Sequence, residues 1–315
     1  MNLQTQIPLS AKEQQIDYAS KLVLLGSCFT ENIGEKLDYF KFQNVQNPFG
    51  VIFNPVSLEN LVVRAVNEDF FTEENIFQTQ SLWHCFEVHS SLSASHKESF
   101  LEGLNNQLKN FREELFSASH IIITLGSAWV YQYIETKAIV ANCHKIPQRE
   151  FQKKLLSVET ISKSLESLVS IIQKVNPIAT FIFTISPVRH VKDGFVENTR
   201  SKAYLIGGIH QLLSADSKLH YFPSFELMMD ELRDYRFYAK DMLHPNELAI
   251  EYIWEKFKTV WIAPTTENLQ KEIDTIQKGL RHKVFHPESE EYLKFDAKLR
   301  KKMEAVKKAL PFVKF

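Results

Sequence analysis

Three short runs, LVLLG (22–26), HIIITLG (120–126) and ATFIFTIS (179–186), are apolar on both faces rather than at alternate positions. A strand buried on both sides reads this way, and such burial belongs to parallel sheets covered by helices. FQNVQNPFGVIF (42–53) holds a further strand with a turn at NPFG, and KLHYFPSFEL (218–227) another around Tyr221 and Phe222. Between the runs the period changes. SVETISKSLESLVSIIQKV places Ile161, Leu165, Leu168, Ile172 and Val175 three or four residues apart and stops at Asn176-Pro177. SKAYLIGGIHQLLSA (201–215) reads likewise as a helix. The alternation predicts an α/β protein, a parallel sheet between layers of helices. Two stretches fall outside it. Residues 57–118 form a polar, largely helical insertion, and after Pro264 the strand signals stop. The chain therefore divides into an α/β domain over 1–264 and a helical C-terminal appendage over 265–315.

The length, 315 residues, suits one large α/β domain, and a formal net charge of −1 gives no reason to expect nucleic acid or a membrane surface as partner. The first residues lack the basic start and apolar stretch of a secretion signal, and no run approaches the ~18 apolar residues of a membrane span. Cys28, Cys85 and Cys143 are odd in number and far apart, so they form neither a disulfide framework nor a Cys-x-x-Cys metal pattern. These features predict a reduced, cytoplasmic protein needing no metal and no cofactor.

The sharpest chemical signal is AKDMLHPNELAIEYIWEKF, in which Asp241 and His244 lie three apart and Pro245 is expected at the first helical position. A carboxylate so placed reaches the imidazole Nδ1 and leaves Nε2 outward as a general base. Two strands end in Leu-Gly-Ser, at Ser27 and Ser127. After Ser27, TENIGEKL begins a helix with Thr30 as an expected cap, so Ser27 is the better nucleophile, its backbone N–H aimed at a developing oxyanion. After Ser127 comes a β-prone aromatic run, and Ser127 reads as a turn residue on a pocket wall. Cys28 is the alternative nucleophile, since neighbouring side chains on a tight turn diverge and only one can face the base.

GSCFTENIG, NPFG, TLGSAWVY, NCHK, SPVRH, DGFVEN and the long string ending in KDMLHP together resemble the GSCFA family, in order from about residue 21 to 262. That family is grouped with the SGNH or GDSL-like hydrolases, whose fold is a three-layer, flavodoxin-like parallel sheet. The resemblance implies a triad of Ser27, His244 and Asp241. It also implies an oxyanion donor at Gly50 and a side-chain amide for which Asn142 or Asn47 could stand. The usual Gly-Asp-Ser is here Gly26-Ser27-Cys28, so the nucleophile aligns as Ser27 or as Cys28 according to where a gap is set. Arg189, His190 and His144 are further binding candidates. The expected activity is that of a serine ester hydrolase or acyltransferase on a small-molecule or O-acetylated, carbohydrate-like substrate. A Cys28-dependent acyl-transfer enzyme, or a non-catalytic carbohydrate- or partner-binding module using Arg189, are the alternatives, and a homo-oligomer is left open.

Overall fold

The computed structural model describes residues 4–213, 216–283 and 285–315. Along the chain, β1 (Lys21–Gly26) leads through α1 (Cys28–Tyr39) to β2 (Gln43–Gln46). Then come α2 (Pro55–Val66), a hairpin of β3 (Ile76–Thr79) and β4 (Leu82–Cys85), α3 (Lys97–Ser117) and β5 (His120–Leu125). A small antiparallel sheet of β6 (Trp129–Tyr133), β7 (Ile139–Val140) and β8 (Phe151–Leu155) follows, then α4 (Val158–Val175) and β9 (Thr180–Ile185). The chain closes with α5 (Phe195–Leu213), β10 (Leu219–Phe222), one turn α6 (Ser224–Glu226), α7 (Glu247–Trp261), α8 (Glu267–Arg281) and α9 (Glu290–Ala309). Residues 214 and 215 of the expected helix 201–215 lie outside the described residues.

The main sheet has five strands in the order β10-β9-β5-β1-β2, all parallel. This is the flavodoxin-like order, in which the chain leaves β1 to one side and returns on the other. The expected α/β, three-layer architecture is therefore present. One core joins Val23, Leu25, Ile121, Ile123, Phe181 and Phe183 to helices α2, α3, α4 and α5. The other joins Leu22, Leu24, Ile122 and Ile182 to α1, α7, α8 and α9. Alternate residues of one strand thus serve opposite cores, which is why the strand runs are apolar throughout. The 57–118 stretch carries most of α2, the β3–β4 hairpin and α3, and both helices pack on the first core. Residues 265–315 supply α8 and α9, which pack on the second.

The point where β1 meets β5 is the tightest on the sheet. Gly26 pairs with Thr124, and a Cβ at Gly26 would lie 2.1 Å from the Thr124 carbonyl oxygen. Gly26 also has φ +136°, a conformation that side chains disfavour. Its N–H donates to Asn47 Oδ1 at 2.8 Å, and the next N–H, of Ser27, donates to Thr124 O at 3.0 Å. Gly26→Ala should therefore lower the unfolding free energy by about 3 kcal/mol. Denaturant midpoints will show this, and an unchanged midpoint would mean that the junction is looser than described.

Candidate functional site

The carboxyl end of β1 beside β5 is the topological switch point, where open parallel sheets form their crevices. Ser27 and Cys28 stand there, on opposite terms. Ser27 is 1% exposed and is the cap of α1, its Oγ accepting from Phe29 N at 3.3 Å. The cap therefore lies three residues ahead of the expected Thr30, because the strand ends at Gly26 and the helix starts at once. Cys28, the first residue of α1, is half-buried. Burial raises its thiol pKa, and Glu31 raises it further. The N–H groups of Cys28 and Phe29 and the Lys202 ammonium pull the other way.

Asp241 and His244 form a compact unit. Asp241 Oδ1 accepts from the N–H of Leu243 at 2.9 Å and of His244 at 3.0 Å, and Oδ2 faces His244 Nδ1 at 2.6 Å. These bonds hold the Asp241 carboxyl down at about 2, so it is ionised at neutral pH. His244 Nε2 is left as the outward nitrogen. Pro245 precedes the helix rather than opening it: Asn246 caps α7, its Oδ1 accepting from Ala249 N at 3.1 Å. The unit is tied to the loop after β9 by Arg189 N donating to Leu243 O at 3.1 Å and to the segment before it by Ala239 N donating to His244 O at 2.7 Å.

His190 sits between these parts. Its ring stacks on Phe53 with centroids 6.1 Å apart, and its Nε2 is buried without a hydrogen-bond partner among the described residues. Burial, then the charges of Lys202 and His244, bring it down to about 3, so the ring is neutral. Lys202 was not legible as a site residue, although it falls in the apolar stripe of α5 with Asn198, Leu205 and Ile209. It is 1% exposed, and its Nζ donates to Gly126 O at 2.8 Å and Ser186 O at 2.7 Å, the ends of β5 and β9. A buried ammonium held by carbonyls alone is costly to keep charged.

Other expected residues are occupied elsewhere. The N–H of Gly50 donates to Asn47 O at 2.7 Å inside its own turn. Asn142 Oδ1 accepts from His144 N at 2.8 Å, and buried His144 contacts Cys85 O at 2.7 Å through Nε2 and His84 at 3.1 Å through Nδ1. No hydrogen bond joins this cluster to Ser27, Cys28 or His244 among the described residues. Ser127 accepts from Trp129 N at 3.0 Å and meets Ser201 Oγ at 3.2 Å on α5. Arg189 Nε donates to buried Asn198 Oδ1 at 3.0 Å. Among the described residues no three His, Cys, Asp or Glu side chains gather as a metal site, and no helix is long and apolar enough to cross a membrane.

Burial lowers Lys202 to about 7, Arg189 adding to the depression and Cys28 opposing it. An unfolded lysine keeps its proton up to about pH 10.4. Above pH ~7 the unfolded chain therefore binds more protons than the folded one, and stability rises with pH. Between pH 7 and about 8.5, below the ordinary range of thiol ionisation, the rise should reach up to about 1.4 kcal/mol per pH unit. Denaturation of wild type and Lys202→Met across that window will test it. The expected result is a slope in wild type that is absent from the variant, and equal slopes would mean that Lys202 stays charged throughout.

A model of the GSCFA family matches residues 21–257, and a model of the GSCFA domain protein, C-terminal domain, matches residues 273–315. No curated protein matches the chain. Matched from the glycine corner of β1 through the Asp241–His244 unit and into α7, the chain belongs to the GSCFA family.

Proposed function

We propose that this protein is an acyl-transfer enzyme of SGNH type, an ester hydrolase or acyltransferase whose nucleophile is Cys28 and whose base is His244, held by Asp241. The observation that carries the choice of nucleophile is the division of labour at the corner. Ser27 Oγ is buried and engaged as the cap of α1, whereas Cys28, the first helical residue, is only partly buried and lies near Lys202. Ser27 could attack only by leaving the cap, a loss of about 1 kcal/mol.

In the reaction His244 Nε2 removes the thiol proton as Sγ attacks the ester carbonyl carbon. The tetrahedral intermediate collapses by returning that proton to the leaving alcohol oxygen, and a thioester remains on Cys28. Water or a second alcohol, deprotonated by His244, then attacks the thioester and releases the thiolate, which takes the proton back. The N–H groups of Ser27 and Gly50, the donors first expected, already serve carbonyl oxygens. The Cys28 N–H and the neutral imidazole of His190, a donor when its tautomer places hydrogen on the unpartnered Nε2, suit the oxyanion better. The substrate class that the family resemblance suggests is an O-acylated carbohydrate-like molecule.

Iodoacetamide labelling read by peptide mass tests the nucleophile. Because the Cys28 thiol is raised, alkylation should still accelerate above the ordinary thiol pKa of about 8.5. An inert Cys28, together with a fluorophosphonate adduct on Ser27, would return the role to the serine. Asp241→Asn should lower turnover of any ester found to be a substrate by roughly 10³-fold or more, with little change in KM. Full activity in that variant would remove His244 as the base.

A further inference from the structure

A cleft of about 230 Å³ opens beside the Asp241–His244 unit, bordered by Met242 of that turn and by Arg189 of the loop after β9. Its far wall brings Arg233. Neither arginine has a carboxylate within ion-pair distance among the described residues. The one acidic residue on the cleft, Asp234, is engaged by Arg236, accepting from its N at 2.8 Å and its Nη2 at 3.0 Å. Arg189 is fixed by Asn198 and by Met229, whose Sδ lies 3.5 Å from Nη1. Apolar groups complete the cleft, and three of them are unusually exposed for their type: Phe195 at 60%, Tyr235 at 67% and Met242 at 49%. Two guanidinium groups without a carboxylate partner, set inside an apolar rim, suit an oxyanion on a nonpolar body, since Arg presents a forked donor set.

We infer that this cleft binds the anionic end of the substrate, a phosphate or carboxylate carried on an apolar or aromatic group, with Arg189 and Arg233 as its two cations. The inference rests on the acyl-transfer reading for its consequence: the acyl ester turned over at Cys28 would carry an anion. The cleft itself is tested without any bond being made at Cys28.

The full-length protein, labelled with ¹³C at its methionine methyls, is titrated with phenyl phosphate, phenylacetate and benzyl alcohol. Three of the five methionines, Met228, Met229 and Met242, line the cleft, while Met303 lies on α9 and serves as the control. The expected result is a saturable shift of the three cleft methyls with at least one of the two anions, at a Kd of about 1 mM. Met303 stays unmoved, and the neutral alcohol binds at least ten-fold more weakly. Whichever anion binds more tightly identifies the group as phosphate or carboxylate. Arg233→Gln, an exposed substitution, should weaken that binding ten-fold or more. Failure of both anions to move the cleft methyls, an equal response to benzyl alcohol, or unchanged affinity in Arg233→Gln would overturn the inference. Anion binding in a protein whose Cys28 proves inert would leave the cleft standing and remove the thiol mechanism. A reactive Cys28 without anion binding would do the reverse.

Discussion

Everything at the candidate site follows from the absence of a side chain at Gly26. With 2.1 Å between a would-be Cβ and the Thr124 carbonyl oxygen, only glycine lets β1 lie against β5 at this register. The same residue turns the chain at positive φ, so the strand ends and α1 begins with a single residue between them. That residue must cap the helix and also continue the ladder to Thr124, and a buried serine does both. The side chain left to face outward at the end of the sheet is the next one.

Around this corner the polar groups sort by what they can still do. Backbone donors at Gly26, Ser27 and Gly50 are satisfied by neighbouring oxygens. Lys202 plugs the space above β5 and β9 with an ammonium that has two carbonyl partners and no counter-charge among the described residues. Burial keeps the neighbouring His190 ring neutral, and the Lys202 charge adds to the effect. His244 stands apart in being exposed and in having its tautomer set locally, by a carboxylate three residues away whose other oxygen is anchored by two N–H groups.

The buried strands were the most legible part of the chain, because a strand between two cores is apolar at every position and nothing else short reads that way. LVLLG, HIIITLG and ATFIFTIS are β1, β5 and β9. The order of the strands was not legible from periodicity, since pairing is a long-range property, and it came from the family resemblance. At the site, spacing alone found the Asp241–His244 contact. The expected cap at Thr30 differs from the observed Ser27 because both residue types can cap a helix and the tight β1–β5 approach ends the strand one residue before Ser27. Pro245 likewise suits a first helical position, but Asn246 has the oxygen that reaches Ala249 N. Lys202 and the Arg189–Arg233 cleft stayed hidden for a different reason. A lone lysine in a helix is ordinarily solvated, and two arginines 44 positions apart meet only once β9 and the segment after α6 are folded together.

The helix that opens with Cys28 ends against the far terminus of the chain. Tyr39 Oη donates to Asp274 at 2.8 Å, and Gln277 Nε2 donates to the Tyr39 carbonyl at 3.0 Å, contacts that span 235 and 238 residues. Ile33 and Leu37 of α1 share a core with Ile273, Ile276 and Leu299. Contacts of such separation form late, after most loop-closure entropy has been lost. Without residues 267–309, α1 would keep α7 beside it but lose the apolar partners that α8 and α9 supply to Ile33 and Leu37. The helices α8 and α9 thus steady the helix that carries Cys28 from its opposite end, at Tyr39.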